Sequence, residues 1–350
     1  MSTRPFFAAR LEAFFDRRAE RFFRALGWRE RIIPYTGYGD GSFVRVLGRI
    51  VLSPQFSRTH LGKAAEGFLR RRGWRNFIAA ACVHAPYTIE VGGVTVSGRT
   101  DRGGYIDHRV PGHDMSAGWW SARLMAHPDG SEEEAFVAEA PVQIVDPDAS
   151  VGIVSDVDDT VLSTMVPRPM VAAWNSFVRA EMARQAVPAM AYLYDALGER
   201  YPGTPVFYLS TGAWNTQGFL DRFLVRHRYP AGALLLTDWG PTNTGWFRSG
   251  IEHKRKSLLQ LSLDFPQLTW FLVGDDGQHD PDIYRDFAVA NPGRVLAIAI
   301  RQLSPTEHYL AHGSTEPLLD QDTAAPQVPI LRAPDGRGLL QLARERFGIV

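Results

Sequence analysis

Residues 151–163, VGIVSDVDDTVLS, combine an apolar run with closely spaced aspartates. The run at 152–155 predicts a buried strand, and Asp156 and Asp158 follow at its end. A gap of one residue lets both carboxylates leave a tight turn towards one point, where they repel unless a cation lies between them or one is protonated. We therefore interpret this stretch as half of a site for a hard cation, and Mg²⁺ prefers such oxygen ligands.

Four further apolar runs follow and alternate with helical patterns. They are PVFYLS (205–210), ALLLT (233–237), TWFLVGD (269–275) and RVLAIAI (294–300). Strands that are apolar on both faces and alternate with helices predict a parallel sheet covered on both sides, which is an α/β fold. The segment 314–336 is rich in Pro, Asp and Thr, which predicts a loop-like tail before a short amphipathic piece at 338–347.

Other polar residues of this region fall at the same predicted edge of the sheet. Asp275 ends the run at 269–275, and Asp280 follows across a loop that contains Gly277. In parallel α/β sheets ligands bind outside the carboxyl ends of the strands, so Asp275 is expected to reach the same point as Asp156. The sequence therefore predicts that separate strand ends supply oxygen ligands to one cation.

A phosphate group would find partners at this edge as well. Ser210 and Thr211 follow the run at 205–210, where a hydroxyl and free backbone N–H groups can hold a phosphate oxygen. Lys254 opens a predicted helix and can bring a positive charge to the same anion, although the neighbouring Arg255 and Lys256 also allow a simple solvated helix face. The order and placement of these elements favour the phosphate site.

The part of the chain before residue 149 has a different pattern. Short alternating strands with turn signals, such as YTIEVGGVTVSGRT at 87–100, predict a β-rich, sandwich-like domain over residues 31–148. Phenylalanines and leucines recur at helical spacing over residues 5–27, with arginines on or beside the other side, which predicts an amphipathic N-terminal helix within residues 1–30. This helix either docks on its own protein or lies in a membrane interface. Residues 149–350 make up the predicted catalytic domain.

Composition excludes several classes of protein. The formal net charge of the 350 residues is zero, so we expect no nucleic-acid partner. The single Cys82 excludes an internal disulfide framework and a cysteine zinc site. We expect no secretory signal and no transmembrane helix, because charged residues interrupt the N-terminus and no long apolar window occurs. A cytoplasmic location is expected, with peripheral membrane contact through residues 5–27 as the alternative.

The ordered motifs resemble those of the haloacid dehalogenase superfamily of aspartate-nucleophile phosphohydrolases. DVDDT (156–160) is similar to the first motif, YLS (208–210) to the second, Lys254 to the third and GDDGQHD (274–280) to the fourth. A closer resemblance is to the actin-patch-associated phosphatidate phosphatases and their bacterial relatives, because FYLSTGAWN (207–215), HKRKSLLQL (253–261) and LVGDDGQHDPDIY (272–284) are similar to stretches of that family's catalytic domain. The resemblance implies a Rossmann-like parallel sheet with little or no cap domain between the first two motifs.

The resemblance also implies a role for each residue. Asp156 would be the nucleophile that forms an aspartyl-phosphate, and Asp158 the general acid and base. Mg²⁺ would be bound by Asp156, Asp275, Asp280 and the backbone carbonyl of Asp158. The substrate phosphate would be bound by Ser210, Thr211, Lys254 and Thr160, with Thr160 bracing the loop. Because TGAWN stands where relatives more often have Ser-Pro-Trp-Asn, the sequence leaves open whether Ser210 or Thr211 dominates.

Three functions are compatible with these expectations. The favoured one is a phosphatase acting on a phosphatidate-like lipid. The alternatives are a phosphatase for a soluble or protein-bound phosphomonoester, and a non-catalytic interaction protein. The Asp156 and Asp158 pair argues against the non-catalytic alternative, because a protein that only binds partners does not need an acid two residues from a nucleophile.

Overall fold

A computed structural model describes residues 22–25, 28–54, 80–127, 135–163, 185–237, 246–312 and 328–349. The chain divides into two compact units, of which one ends at Ile144 and the other begins at Val145. Each unit has its own sheet and its own hydrophobic core. The sequence-based boundary was placed between residues 148 and 149.

Eight strands of the first unit join into a single sheet. They are β1 (Arg29–Gly39), β2 (Phe43–Ser53), β3 (Ala80–Ala81), β4 (Pro86–Val91), β5 (Val94–Arg99), β6 (Tyr105–Pro111), β7 (Gly118–Ala126) and β8 (Phe136–Ile144). Neighbouring strands follow the order β3-β2-β1-β8-β7-β4-β5, and β6 also pairs with β2. The pairing of β1 with β8 is parallel, whereas the other pairings are antiparallel.

This sheet curls around one core. Inward-facing residues of six strands share a hydrophobic cluster, and the Tyr87 hydroxyl of β4 lies 3.0 Å from Nδ1 of His108 in β6, although these strands are not neighbours. The prediction of a sandwich-like domain is corrected in this respect, because the described strands form one continuous sheet. Alternating strands and turn signals are common to both architectures, so the sequence pattern could not separate them. The predicted turn between β4 and β5 is present, and its Gly92 and Gly93 have positive φ values of 51° and 75°.

The second unit is built on a six-stranded parallel sheet. Its strands are β9 (Val151–Asp156), β12 (Val206–Ala213), β13 (Ala233–Thr237), β14 (Thr269–Asp275), β15 (Val295–Arg301) and β16 (Ile330–Ala333). They follow the order β13-β12-β9-β14-β15-β16 and all pair in parallel. Two short strands, β10 (Leu162–Ser163) and β11 (Gln185–Ala186), form a separate antiparallel pair after the acidic loop.

Six helices of this unit are described. They are α1 (Met190–Arg200), α2 (Gln217–Arg226), α3 (Trp246–Asp264), α4 (Asp280–Ala290), α5 (Pro305–His312) and α6 (Gly336–Phe347). Every residue of β9 is buried, because side chains from α1, α2 and α6 cover one face of the sheet and residues of and after α3 cover the other. The α/β fold predicted for this part of the chain is therefore present, with all five predicted strands.

A sixth strand was missed. The tail predicted as loop contains β16, which pairs with β15 over four residues. The Gly336 N–H donates to the carbonyl of Pro188, and a Cβ on Gly336 would lie 2.3 Å from the nitrogen of Met190, so only glycine allows α6 to begin this close to α1. The segment is short and flanked by prolines, so its sequence lacks the pattern that predicts a strand.

Two predicted features lie mainly outside the described residues. Of the N-terminal helix at 5–27, only residues 22–25 are described, and these are helical. Residues 164–184, within the stretch between the first two motifs that decides whether a cap domain exists, also lie outside the described parts. Within those parts, no helix has the length and apolarity needed to cross a membrane.

Candidate active site

The candidate site lies at the carboxyl ends of β9 and β14. The chain runs from β9 to β12 and β13 on one side and then crosses to β14 on the other, so the order of strands reverses beside β9. Open α/β sheets bind ligands in the crevice at such a reversal, because the loops leave in opposite directions there. Asp156 is the last residue of β9 and Asp275 the last residue of β14.

Three buried carboxylates meet at this edge. Asp156, Asp275 and Asp280, here called the acidic trio, each offer one oxygen within 4.8 Å of the others. Nζ of Lys254 lies 2.6 Å from Oδ1 of Asp156 and 2.5 Å from Oδ1 of Asp280, so one lysine of α3 joins β9 to the start of α4. The structure thus brings together four residues from separate elements. The predicted place of Lys254 is corrected, because it was expected to open a helix and lies within α3, which begins at Trp246.

The local sequence explains how the trio fits together. Asp280 begins α4, where the partial positive charge of a helix N-terminus favours a carboxylate. A Cβ on Gly274 would lie 2.7 Å from Cβ of Asp280, so the glycine makes room for that side chain against β14. The Gly277 N–H donates to Oδ1 of Asp275 at 2.7 Å and fixes the orientation of this carboxylate.

The charges of the site do not balance, since three carboxylates face one lysine. Burial raises the pKa of Asp156 well above its usual value, with the carboxylates of Asp280 and Asp158 adding to the rise and Lys254 opposing it. Burial likewise raises the pKa of Asp275, assisted by Asp280 and Asp156. Burial alone would lower the pKa of Lys254, but the two carboxylates that it contacts outweigh this and raise it. The lysine therefore stays charged, and the trio has an excess of negative charge that a cation would neutralise.

The donor set fits a divalent cation with a preference for oxygen. One oxygen of each member of the trio, Oδ2 in all three, is buried and has no hydrogen-bond partner among the described residues. A buried carboxylate oxygen without a partner is costly, whereas Mg²⁺ takes such oxygens as ligands. The residues that would bind the ion are Asp156, Asp275 and Asp280. For Asp158 the predicted ligand is the backbone carbonyl, which stays a prediction, and its side chain has a partner of its own.

That partner is Ser210, whose hydroxyl donates to Oδ2 of Asp158 at 2.9 Å. Ser210 is buried and its Oγ accepts from the Gly212 N–H, so the hydroxyl hydrogen is directed towards Asp158. Thr211, by contrast, is exposed and its side-chain methyl group faces Gly250 of α3. Successive residues of a strand point to opposite sides, which explains why the structure brings Ser210 but not the Thr211 side chain to the acidic loop.

Thr160 is fully buried, and its hydroxyl has no hydrogen-bond partner among the described residues. The sequence predicted that it would brace the loop. The described residues offer Oγ1 no partner for such a brace, so this role stays a prediction.

Two residues behind the site were missed by the sequence analysis. The Ser155 hydroxyl donates to the carbonyl of Asp156 at 2.6 Å, and the Tyr194 hydroxyl of α1 lies 2.7 Å from Ser155 Oγ. Because Ser155 uses its hydrogen on the carbonyl, Tyr194 is the donor to Ser155. A serine within a buried apolar strand was a usable signal for this chain of hydrogen bonds, whereas nothing in the sequence marked Tyr194.

Residues 151–302 match the family described as phosphatidate phosphatase APP1, catalytic domain. This match confirms the resemblance that the motifs indicated, since this part of the chain is similar to a phosphatase catalytic domain. Phosphatidate phosphatase APP1 of Saccharomyces cerevisiae is 26% identical over 162 residues, which are 46% of this chain and 27% of the yeast protein. An uncharacterised protein of Schizosaccharomyces pombe is 24% identical over 283 residues, which are 77% of this chain and 46% of that protein. The chain thus spans less than half the length of either relative.

Among solved structures, the HAD domain of the effector protein Lem4 from Legionella pneumophila is similar at 13% identity and a TM-score of 0.32. The similarity covers 45% of this chain and 88% of that domain. At this score it assigns neither fold nor function.

Proposed function

We propose that this chain is a Mg²⁺-dependent phosphomonoesterase of the haloacid dehalogenase type, acting on a phosphatidate-like lipid phosphate. Its strongest support is the convergence of the acidic trio and Lys254, which lie within hydrogen-bonding or ion-binding reach of one another. A site with this donor set suits a cation and a phosphoryl group together. The catalytic-domain match over residues 151–302 supports the same reaction class.

Asp156 is the proposed nucleophile. One of its oxygens attacks phosphorus in line with the ester bond, an aspartyl-phosphate forms and the P–O bond to the leaving group breaks. Lys254 contacts Oδ1, and Oδ2 has no partner among the described residues, so the carboxylate can engage a further group. The hydrogen bond from Ser155 to the Asp156 carbonyl would hold the backbone of the nucleophile still during attack.

Asp158 is the proposed general acid and base. It donates a proton to the departing alkoxide, and as a carboxylate it then takes a proton from the water that hydrolyses the aspartyl-phosphate. That second step releases inorganic phosphate and restores Asp156. The hydroxyl of Ser210 would orient this carboxyl group, since it contacts Oδ2 and leaves Oδ1 for the substrate or water.

Stabilisation of the phosphoryl charge would come from the groups around the trio. Lys254 is buried and charged, and the Thr160 hydroxyl is available to a phosphoryl oxygen. The trio and the carbonyl of Asp158 would hold a Mg²⁺ ion, which would supply further charge neutralisation at the phosphoryl oxygens.

The lipid substrate is the part of the proposal that rests on the relative's name and on the Phe-rich, basic segment 5–27. A lipid substrate would require peripheral membrane contact, and the cytoplasmic location stays a proposal from the sequence. The alternatives are a phosphatase for a soluble or protein-bound phosphomonoester, which would use the same residues in the same steps, and a non-catalytic interaction protein, which would use none of these steps.

The test is a phosphate-release assay with Mg²⁺ on phosphatidate vesicles, glycerol 3-phosphate and p-nitrophenyl phosphate. We expect hydrolysis of phosphatidate, faster than of glycerol 3-phosphate, and no activity in Asp156→Asn. Equal rates on soluble and lipid phosphates would remove the lipid assignment. Absence of phosphate release from every substrate, or full activity of the Asp156→Asn variant, would refute the phosphatase mechanism.

A further inference from the structure

The loop after Asp156 contains a turn that is held from another strand. Asp159 has a φ of 59°, in the left-handed region that non-glycine residues rarely adopt. Its N–H donates to the carbonyl of Leu162 at 2.7 Å, and its own carbonyl accepts from Nη1 of Arg301 at 2.7 Å. Arg301 is the last residue of β15, so a strand two positions away from β9 in the sheet contacts the loop directly.

Arg301 is buried and uses all three of its guanidinium nitrogens. Nη1 donates to the Asp159 carbonyl, as described above. Nη2 contacts Oε1 of Glu307 at 2.5 Å, and Nε contacts the carbonyl of Pro334 at 3.2 Å. A planar guanidinium with each nitrogen engaged has one orientation, which makes it a rigid support rather than a mobile surface charge.

Glu307 extends this support to the other end of the loop. Its Oε1 also accepts from the Ser163 hydroxyl at 3.4 Å, while its Oε2 accepts from the Ser304 N–H at 2.8 Å. The Glu307 N–H lies 3.3 Å from Ser304 Oγ, so the two residues form a capping box at the start of α5. The carboxylate is therefore fixed by its own helix before it meets Arg301.

We propose that Arg301 and Glu307 are positioning residues that hold the loop 157–163, and with it Asp158, in the geometry needed for catalysis. This inference rests on the proposed function, in which Asp158 moves a proton at the leaving oxygen. Arg301 contacts the residue directly after Asp158, and Glu307 contacts the residue at the loop's end. Glu307 lies beyond residue 302, where the family match ends, so the match does not assign it a role.

Arg294 provides a matched control for Arg301. It lies just before β15, at the opposite end of the strand, and its guanidinium also donates to backbone carbonyls, at 3.2 Å to Leu268 and 2.9 Å to Phe265. Arg294→Ala therefore removes a similar set of hydrogen bonds without touching the acidic loop. Glu307→Gln is a second variant, because it keeps the shape of the side chain and removes only its charge.

The first measurement is steady-state kinetics on p-nitrophenyl phosphate, together with circular dichroism to give the folded fraction. We expect Arg301→Ala to lower kcat about 100-fold with KM within about threefold, because small displacements of catalytic groups have effects of this size. Glu307→Gln should lower kcat by about tenfold, and guanidinium ion should restore part of the activity of Arg301→Ala. Arg294→Ala should keep its kcat per folded molecule.

The second measurement, hydrogen exchange of the loop amides, does not depend on activity. Exchange at Asp159, Val161 and Leu162 should accelerate in Arg301→Ala and not in Arg294→Ala. Unchanged loop exchange in folded Arg301→Ala, or equal loss of kcat in both arginine variants, would overturn the inference. If Arg301→Ala does not fold, Glu307→Gln decides by the same two measurements. An inactive wild-type protein would refute the proposed function instead, and the exchange comparison would then decide alone whether Arg301 holds the loop.

Discussion

Replacing Asp275 by asparagine should make the protein more stable and inactive at the same time. Asp275 is fully buried, and its Oδ1 accepts from the Gly277 N–H, a contact that an asparagine oxygen can keep. The substituted amide group would donate towards the other two carboxylates instead of repelling them. The variant therefore removes an unfavourable charge while preserving the fold of the loop.

The magnitude follows from the separation of the acidic trio. At the 4.8 Å limit and an effective dielectric constant of about 20, each pair of carboxylates repels by about 3.5 kcal/mol. Lys254 and partial protonation offset much of this, so we expect Asp275→Asn to raise the free energy of unfolding by about 1–3 kcal/mol without divalent ions. Because burial raises the pKa of Asp275, its own destabilising effect sets in as pH rises through that pKa. The gain from asparagine should therefore be largest at high pH and shrink as pH falls.

The assay is urea denaturation in EDTA and in millimolar MgCl₂. Wild-type protein should be stabilised by Mg²⁺, by about 2.7 kcal/mol when the ion is present at about a hundred times its dissociation constant. Asp275→Asn should show little of this increment and no phosphatase activity. Asp286→Asn, which removes an exposed carboxylate paired with Arg255, should respond to Mg²⁺ like the wild type.

Two results would contradict the reasoning. If Asp275→Asn is less stable than the wild type in EDTA, the trio does not hold excess negative charge. If Mg²⁺ stabilises wild type and Asp275→Asn equally, the ion binds elsewhere.

Three further predictions concern two positions at the site and one partly buried aspartate of α2. Gly274→Ala should displace a carboxylate of the trio and reduce both Mg²⁺ affinity, measured by calorimetry, and kcat by about tenfold. Gly198→Ala is the control, because its added methyl group meets open space, and it should leave both quantities unchanged. Ser210→Ala should lower kcat by about tenfold or more because the proposed acid loses its orienting donor, while Thr211→Ala should stay within about twofold. Burial raises the pKa of Asp221 to about 6, so its stabilising contribution is complete below its unfolded-state pKa and is lost as pH rises through about 6. Asp221→Asn should accordingly gain stability over the wild type between about pH 4 and pH 6, by at most about 3 kcal/mol in denaturant titrations, and a constant difference across that range would contradict the assignment.

Much of the catalytic fold could be predicted because its strands are buried on both faces. Such strands are short, apolar and bounded by turn residues, and the ends of ALLLT and TWFLVGD were predicted to the residue. The β16 strand lacks this signal, since it pairs with β15 alone and prolines flank it. The single curled sheet of the first unit was missed because alternation reports which face is buried, not what covers it.

The site was predictable as a set of residues but not in its contacts. Asp156 and Asp275 could be placed at strand ends, and parallel topology then brings such ends together. Lys254 was expected at the start of a helix and lies within α3 instead. The hydrogen bond of Ser210 to Asp158 depends on the direction of two side chains, which spacing in the sequence does not determine. Arg301 simply follows an apolar run, and nothing local tells which carbonyl its guanidinium will reach.

The place of β16 at the edge of the catalytic sheet affects how the chain folds during synthesis. Every member of the acidic trio has left the ribosome before β16 and α6 are made, and until then β15 has an open edge. An unpaired edge beside an apolar face favours association with other nascent chains, so this interval is the one in which a chaperone would help most. The segment that carries the phosphatase motifs is therefore shorter than the segment that must leave the ribosome before the catalytic sheet is complete.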